Sequence, residues 1–381
     1  MKKGSMSSAN EQKSKARAKE VETAIGVGRP RFGLTMGLDL GDQGSHYCVL
    51  DEEGNVLERG EVVTEKQPLT LLLSRWKPIL VVIEVGTHSP WVSRLVESQG
   101  QEVIVANPRK VKLISQNSRK NDPLDAELLA RLGRADRELL KPVKHRSRKA
   151  HADLMLIRVR AHLVEQRTDV VNAARGLTKS FGERLPSKDA DSMNVKIAEH
   201  LPAEIRPHIE QLLRVVEELS REIWKCDESI KLLSAEQYGE ETRRLQQVAG
   251  VGPVIALSFV LTIDDPNQFR RSRDVGCKLG LVPKSDQSGA KNPELSITKE
   301  GDVYLRKLLV QGAQYILSAR GPDTDLKRWG LNIAKKGKKK AKRRAVVAVA
   351  RKLAVLLHRL WVSGEVYEPR RGKGAKARVA A

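Results

Sequence analysis

The period of apolar and polar positions changes along the chain. Residues 1–32 are rich in Ser and Lys and show no periodicity, which predicts a flexible basic arm. Leu34 to Leu40 is almost wholly apolar and reads as a buried strand, broken by Gly41, Asp42, Gln43 and Gly44. Two more strands are expected at His46 to Leu50 and Val56 to Val63, joined by a turn through Glu52, Glu53, Gly54 and Asn55. A helix near Pro68 to Trp76 precedes an aliphatic strand, Ile79 to Ile83, which runs directly into Glu84. A helix from Pro90 to Ser98 and a short strand from Glu102 to Val105 follow. Three strands and then alternating helix and strand indicate a mixed-sheet α/β domain, assigned to residues 33–148.

From residue 149 the period becomes helical. Leu154, Ile157, Ala161, Val164, Thr168 and Val171 recur at helical spacing. A cleaner series is Ile205, Ile209, Leu212, Val216, Leu219, Ile223, Cys226, Ile230 and Leu233. Its spacings alternate four and three, the seam of a coiled coil over about four heptads. An intramolecular hairpin with residues 152–176 and a dimerisation arm both satisfy it, within a helical region 149–242.

Residues 243–366 form a third segment, mainly helical, with helices expected from Gly301 to Ala319 and from Ala345 to Leu360. In Val248-Ala-Gly-Val-Gly-Pro253, Gly250 and Gly252 permit a tight turn that exposes successive backbone N–H groups near a helix start. Such a turn suits a phosphate and resembles a helix-hairpin-helix element; a purely structural turn accounts for the same glycines. Between the two later helices lies a basic run containing Lys338, Lys339, Lys340, Lys342, Arg343 and Arg344. It reads either as a solvated loop or as a phosphate contact. The tail, residues 367–381, is again basic.

Charge sharpens the picture. Lys and Arg number 69 against 47 Asp and Glu, a formal net charge of +22, which argues for a polyanionic partner. Apolar residues make up 40% of the 381, enough for real cores. Cys48, Cys226 and Cys277 are too scattered for a disulfide framework or a zinc site. No stretch approaches the roughly 18 apolar residues of a membrane span, and no apolar run follows Lys2 and Lys3 as in a secretory signal. A cytoplasmic, nucleoid-associated nucleic-acid protein is expected; a secreted or membrane protein is not.

Four acids stand where folding disfavours them. Asp39 interrupts an apolar strand and Glu84 ends an aliphatic one. Asp122 and Asp125 flank Pro123 in Asn121-Asp-Pro-Leu-Asp-Ala, three residues apart on one side of a first helical turn. Singly, each has an ordinary explanation as a cap, a first-turn acid or a strand end. Together they make an oxygen-rich site for hard divalent cations, of the kind that serves phosphodiester displacement.

Gly37-Leu-Asp39-Leu-Gly, Val81-Val-Ile-Glu84 and Asn121-Asp122-Pro-Leu-Asp125-Ala resemble the Asp-Glu-Asp-Asp (DEDD) signature of a RuvC-like ribonuclease H fold. More particularly, the chain resembles the DEDD transposases of bacterial insertion sequences, the one-ten family that includes the Piv-type DNA invertases. Val105-Ala-Asn-Pro-Arg109 fits that family too. By this resemblance Asp39, Glu84, Asp122 and Asp125 are the metal-binding catalytic group, with Mg²⁺ or Mn²⁺ as cofactor.

Ser288, in Ser285-Asp-Gln-Ser288-Gly289-Ala-Lys291, reads from composition as a turn residue, and no His/Asp triad can be assembled around it. The stretch resembles the family's C-terminal transposase domain, whose Ser-Gly motif supplies a nucleophile; Ser288 is the matching position and Ser285 the fallback. Lys291, Lys299 and Arg306 are then phosphate clamps. Gln287, Ala290 and Glu300 depart from the usual pattern. The resemblance implies a recombinase that cuts and rejoins donor and target DNA in a bacterium or archaeon. It further implies a phosphoserine intermediate, a noncoding guide (bridge) RNA, and a homo-oligomer, dimer or tetramer, in which a serine of one chain meets carboxylates of another. Two other readings use the same residues: a metal-only RuvC-type nuclease with a structural Ser288, and a non-catalytic nucleic-acid scaffold.

Overall fold

The computed structural model describes residues 33–108, 122–286, 295–335, 337 and 339–370. The basic arm, residues 1–32, and residues 371–381 of the tail lie outside that range. The chain divides into two compact units, Met1–His145 and Arg146–Ala381.

In the first unit the elements run β1 (Leu34–Asp39), β2 (Gly44–Leu50), β3 (Val56–Val63), α1 (Lys66–Arg75), β4 (Ile79–Glu84), α2 (Ser89–Ser98), β5 (Glu102–Ala106) and α3 (Asp122–Ala135). The five strands lie in the order β3-β2-β1-β4-β5. Tight turns make β1, β2 and β3 antiparallel neighbours. The crossovers through α1 and α2 make β4 parallel to β1 and β5 parallel to β4. The expected mixed α/β sheet is present.

Strand alternation assigns the faces. Met36, Leu38, Val81 and Ile83 point to one side, where Leu69 and Leu73 of α1 and Val92 and Val96 of α2 cover them. Leu80 and Val82 point to the other, against Leu129 and Leu132 of α3. Cys48 and Leu50 meet Ala126 and Ala130 on that same side. With helices on both faces, β4 is buried along Ile79–Ile83, as a central parallel strand requires.

The second unit contains α4 (Arg148–Lys179), α5 (Arg206–Glu236), α6 (Gly239–Gln246), α7 (Pro253–Ile263), the short α8 (Val275–Lys278), α9 (Val303–Leu317), α10 (Asp325–Lys335) and α11 (Lys339–Ser363). Helices α4 and α5 pack on each other through Val171, Ala174, Ile209, Leu213 and Val216. Arg160 grips Asp227 with two hydrogen bonds, 2.5 and 3.2 Å, between the same helices. The heptad pattern puts Leu212 in the seam, yet Leu213 is the residue fully buried there. The neighbouring heptad positions Ile205, Ile209, Val216, Ile223 and Ile230 are buried in the expected register. Ile157, Ile230, Leu257 and Leu261 share one cluster, which joins the hairpin to α7. Phe259, Leu305, Leu309, Leu353 and Leu357 form the largest core, among α7, α9 and α11.

The basic run departs from the loop reading. Helix α11 begins at Lys339, so Lys340, Lys342, Arg343 and Arg344 occupy its first turns. Lys, Ala and Arg are strong helix formers, and Ala345 and Val349 on the same helix are fully buried.

Candidate metal centre and nucleic-acid surface

Asp39 is the last residue of β1 and Glu84 the last of β4. The parallel register sets Leu38 beside Ile83, so one step further the two acids stand side by side at the carboxyl edge of the sheet. Alternation turns both towards the α3 face, since Leu38 and Ile83 point the other way. Ligand sites of parallel sheets lie at this edge.

Helix α3 brings the remaining acids. Asp122 and Asp125 lie in its first turn, where the helix dipole favours negative charge. Counting by three and four, they continue the stripe of Ala126, Leu129 and Ala130 that packs on the sheet. The helix can lie this close because Gly37 has no side chain: a β-carbon there would stand 1.9 Å from the carbonyl oxygen of Ala126. Gly133 does the same further along, 2.3 Å from Val82 Cγ2.

Carboxylate oxygens of Asp39, Asp122 and Asp125 thereby gather within 4.8 Å of one another, all three side chains half-buried. Glu84 is half-buried on the same face and lies outside this 4.8 Å group. The donors are all carboxylate oxygens, a set that fits a hard divalent cation.

The loop after β4 adds a residue that the sequence reading misses. The Trp91 indole Nε1–H donates to His88 Nδ1 at 3.0 Å, which leaves the proton of a neutral ring on Nε2. That nitrogen faces Asp42 Oδ1 at 3.3 Å, in the loop following Asp39. Ser89 ties the loop down by accepting from Gly86 N and donating to Gly86 O. The signal available in sequence is a His three residues before a Trp at the start of a helix.

In the second unit, Gly250 has φ +85° and packs against α9, where a β-carbon would stand 3.0 Å from Gly312 O. Gly252 caps the start of α7 and is exposed. Lys299 is exposed, with φ 58°. Arg306 is 9% exposed and donates Nη1 to the carbonyl oxygens of Leu279 and Glu300. Those carbonyls belong to a loop that Arg306 holds from inside. Lys340, Lys342, Arg343 and Arg344 are exposed, as is Ser285. Arg109, Ser288, Lys291, Lys338 and the side chain of Lys339 lie outside the described residues. Among the described residues no helix is long and apolar enough to cross a membrane.

Two family models match the chain. A DEDD-type IS110 model described as a transposase covers residues 36–181. A second, described as the transposase IS116/IS110/IS902 family, covers residues 242–328. The transposase for insertion sequence element IS1111A of Coxiella burnetii is 30% identical over 339 residues, which span 87% of this chain and 90% of that protein. The transposase for insertion sequence element IS1328 of Yersinia enterocolitica is 28% identical over 285 residues, 73% of this chain and 82% of that one.

Proposed function

The chain belongs to the IS110/IS116 family of transposases, DNA-acting enzymes of insertion-sequence transposition, and from that premise we propose that it cuts and rejoins DNA at the carboxyl edge of an RNase H-like sheet. Asp39, Asp122 and Asp125, joined by Glu84, hold a divalent cation, Mg²⁺ or Mn²⁺. The observation that carries this reading is the gathering of three carboxylates within 4.8 Å from a strand end and a helix start. Bound there, the cation supplies positive charge against a scissile phosphate. The carboxylates orient it, and Gly37 keeps the helix-borne pair at the strand end.

Ser288 is the nucleophile in this proposal: its oxygen bonds to phosphorus as the bond from phosphorus to the deoxyribose oxygen breaks, the serine's proton is passed on to that leaving oxygen, and the phosphoserine conserves the bond for rejoining. Its support is the resemblance of the sequence from Ser285 to Lys291 to the family's Ser-Gly motif. A noncoding guide RNA selecting donor and target, and a homo-oligomer built on the α4–α5 hairpin, complete the proposal. The net charge of +22 supports a large nucleic-acid load. The hairpin's exposed Trp224, Val159 and Leu232 support assembly.

The test is Asp39→Asn, which removes a ligand charge and little volume. Wild-type protein should gain thermal stability with Mn²⁺ or Mg²⁺, by about 2.7 kcal/mol at a hundredfold excess over Kd. The variant should gain none, cut no DNA and still bind it. Metal-dependent cutting at the wild-type rate in Asp39→Asn would overturn the site.

A further inference from the structure

The second unit contains a cleft of about 880 Å³ at the junction of α10, α11 and the loop paired through Pro283 and Ile297. Its size falls in the range of small-molecule sites, about 300–1,000 Å³. The floor is apolar: Leu281, Ile297, Val347, Val355 and the ring of Trp329 line it. The rim is basic, with Lys284, Arg343, Arg344, Arg351 and Lys352. No carboxylate lines it among the described residues. Lys352 Nζ sits 3.9 Å from the centroid of the Trp329 ring, so a cation borders the aromatic wall.

Helix periodicity explains the mixture. Arg344, Val347, Arg351 and Val355 recur at three and four along one face of α11, with Lys352 beside Arg351. Aliphatic side chains and guanidinium groups therefore alternate along a single track. An inorganic anion would leave the apolar floor wet, and an apolar peptide would bring no anionic group to the basic rim. A duplex presents phosphates to the rim while keeping its bases stacked away from the floor. The ligand that satisfies both surfaces carries flat apolar faces at the spacing of its phosphates.

We propose that this cleft takes an unpaired nucleotide of single-stranded DNA, its base on the Leu281–Val347–Trp329 floor and its phosphates on the basic rim. The proposal concerns the second unit alone and requires neither the carboxylate centre nor Ser288.

The experiment uses full-length protein freed of nucleic acid in high salt. Affinity is measured by fluorescence anisotropy for a blunt DNA duplex and for the same duplex with a short thymidine tail. The tail should tighten binding roughly ten-fold, the scale of one base stacked on a protein. With 4-thiothymidine in the tail, photocrosslinks should map to peptides carrying Leu281, Trp329 or Val347. Trp329→Leu, at a partly exposed position, removes the aromatic wall and keeps an apolar side chain; it should abolish the advantage of the tail and leave blunt-duplex affinity within about two-fold. Crosslinks outside the cleft, or equal affinity for tailed and blunt duplex in the wild type, would overturn the proposal. So would equal weakening of both by Trp329→Leu. A ribonucleotide tail that crosslinks there while the DNA tail does not would reassign the cleft to RNA. Loss of blunt-duplex binding in the wild type would instead count against the DNA-acting reading itself.

Discussion

Gly37 on β1 and Ala126 on α3 touch backbone to backbone: a β-carbon on Gly37 would meet the Ala126 carbonyl oxygen at 1.9 Å and the Ala130 amide nitrogen at 2.5 Å. This contact sets the height of α3 above the sheet, and with it the distance of Asp122 and Asp125 from Asp39. Neither neighbouring atom is the end of a flexible side chain, so Gly37→Ala must push the helix away. The expected cost is about 1–3 kcal/mol of stability, the scale of overpacking. The thermal shift given by Mn²⁺ should fall with it, although no ligand is removed. An unchanged melting temperature together with an unchanged metal shift would show that α3 is not seated through Gly37.

How much of this is legible in sequence depends on whether the signal is local. The strands of the first unit follow from apolar runs and turn residues, and the Asp122/Asp125 pair from its spacing beside Pro123. Gly37 is visible as a glycine inside an apolar strand, a hint of close backbone approach; which backbone approaches is a tertiary fact. Arg306 reads as one more cation in a basic chain, and only the fold turns it towards the carbonyls of Leu279 and Glu300. The run around Lys340 looks like a loop because its charges repel. It is helical because Ala345 and Val349 anchor the next turns in the core. His88 gains interest only when Asp42 and Trp91 are seen beside it.

An acid-sensitive tie holds β2, β3 and α1 together. Tyr47 Oη donates to Glu58 Oε1 at 2.5 Å, and Arg75 Nη2 donates to Glu58 Oε2 at 2.7 Å. The Tyr47 hydrogen bond, then the Arg75 contacts, hold the Glu58 carboxyl below its ordinary value of 4.5. The folded chain thus binds this proton less readily than the unfolded one. The stabilisation is complete above pH 4.5 and is lost as pH falls through the lowered folded value. Glu58→Gln should therefore flatten the acid limb of a plot of melting temperature against pH. At neutral pH it should cost no more than about 1 kcal/mol, because the Arg75 partner is exposed. An acid limb as steep as in the wild type would place the sensitive group elsewhere.

The first turns of α11 oppose the helix dipole: they carry Lys340, Lys342, Arg343 and Arg344 and no acid. Replacing these four with Gln should leave the fold as stable or slightly more so. DNA binding should weaken, and its dependence on log salt should lose about 0.9 units of slope for each phosphate contact removed. The slope is read from duplex affinities over a salt series, beside a thermal melt. An unchanged slope would make the basic helix start a solvated surface.

The strongest discrimination between the enzymatic readings lies at Ser288. A nuclease that uses metal ions and water needs no side-chain nucleophile, whereas a recombinase must keep the energy of the broken phosphodiester. Serine is a weak nucleophile at neutral pH, so its attack depends on a phosphate whose charge is already offset. Ser288→Ala removes one oxygen, so folding and nucleic-acid binding should persist while strand exchange is lost. Wild-type protein incubated with labelled target DNA should retain label after denaturation, and mass spectrometry should find it on the peptide containing Ser288. An adduct on Ser285 would keep the chemistry and move the residue. If the serine attacks a phosphate held at the carboxylate centre, as proposed, Asp39→Asn should form no adduct. Recombination by Ser288→Ala, with no adduct in the wild type, would leave a metal-only nuclease acting through Asp39, Asp122 and Asp125.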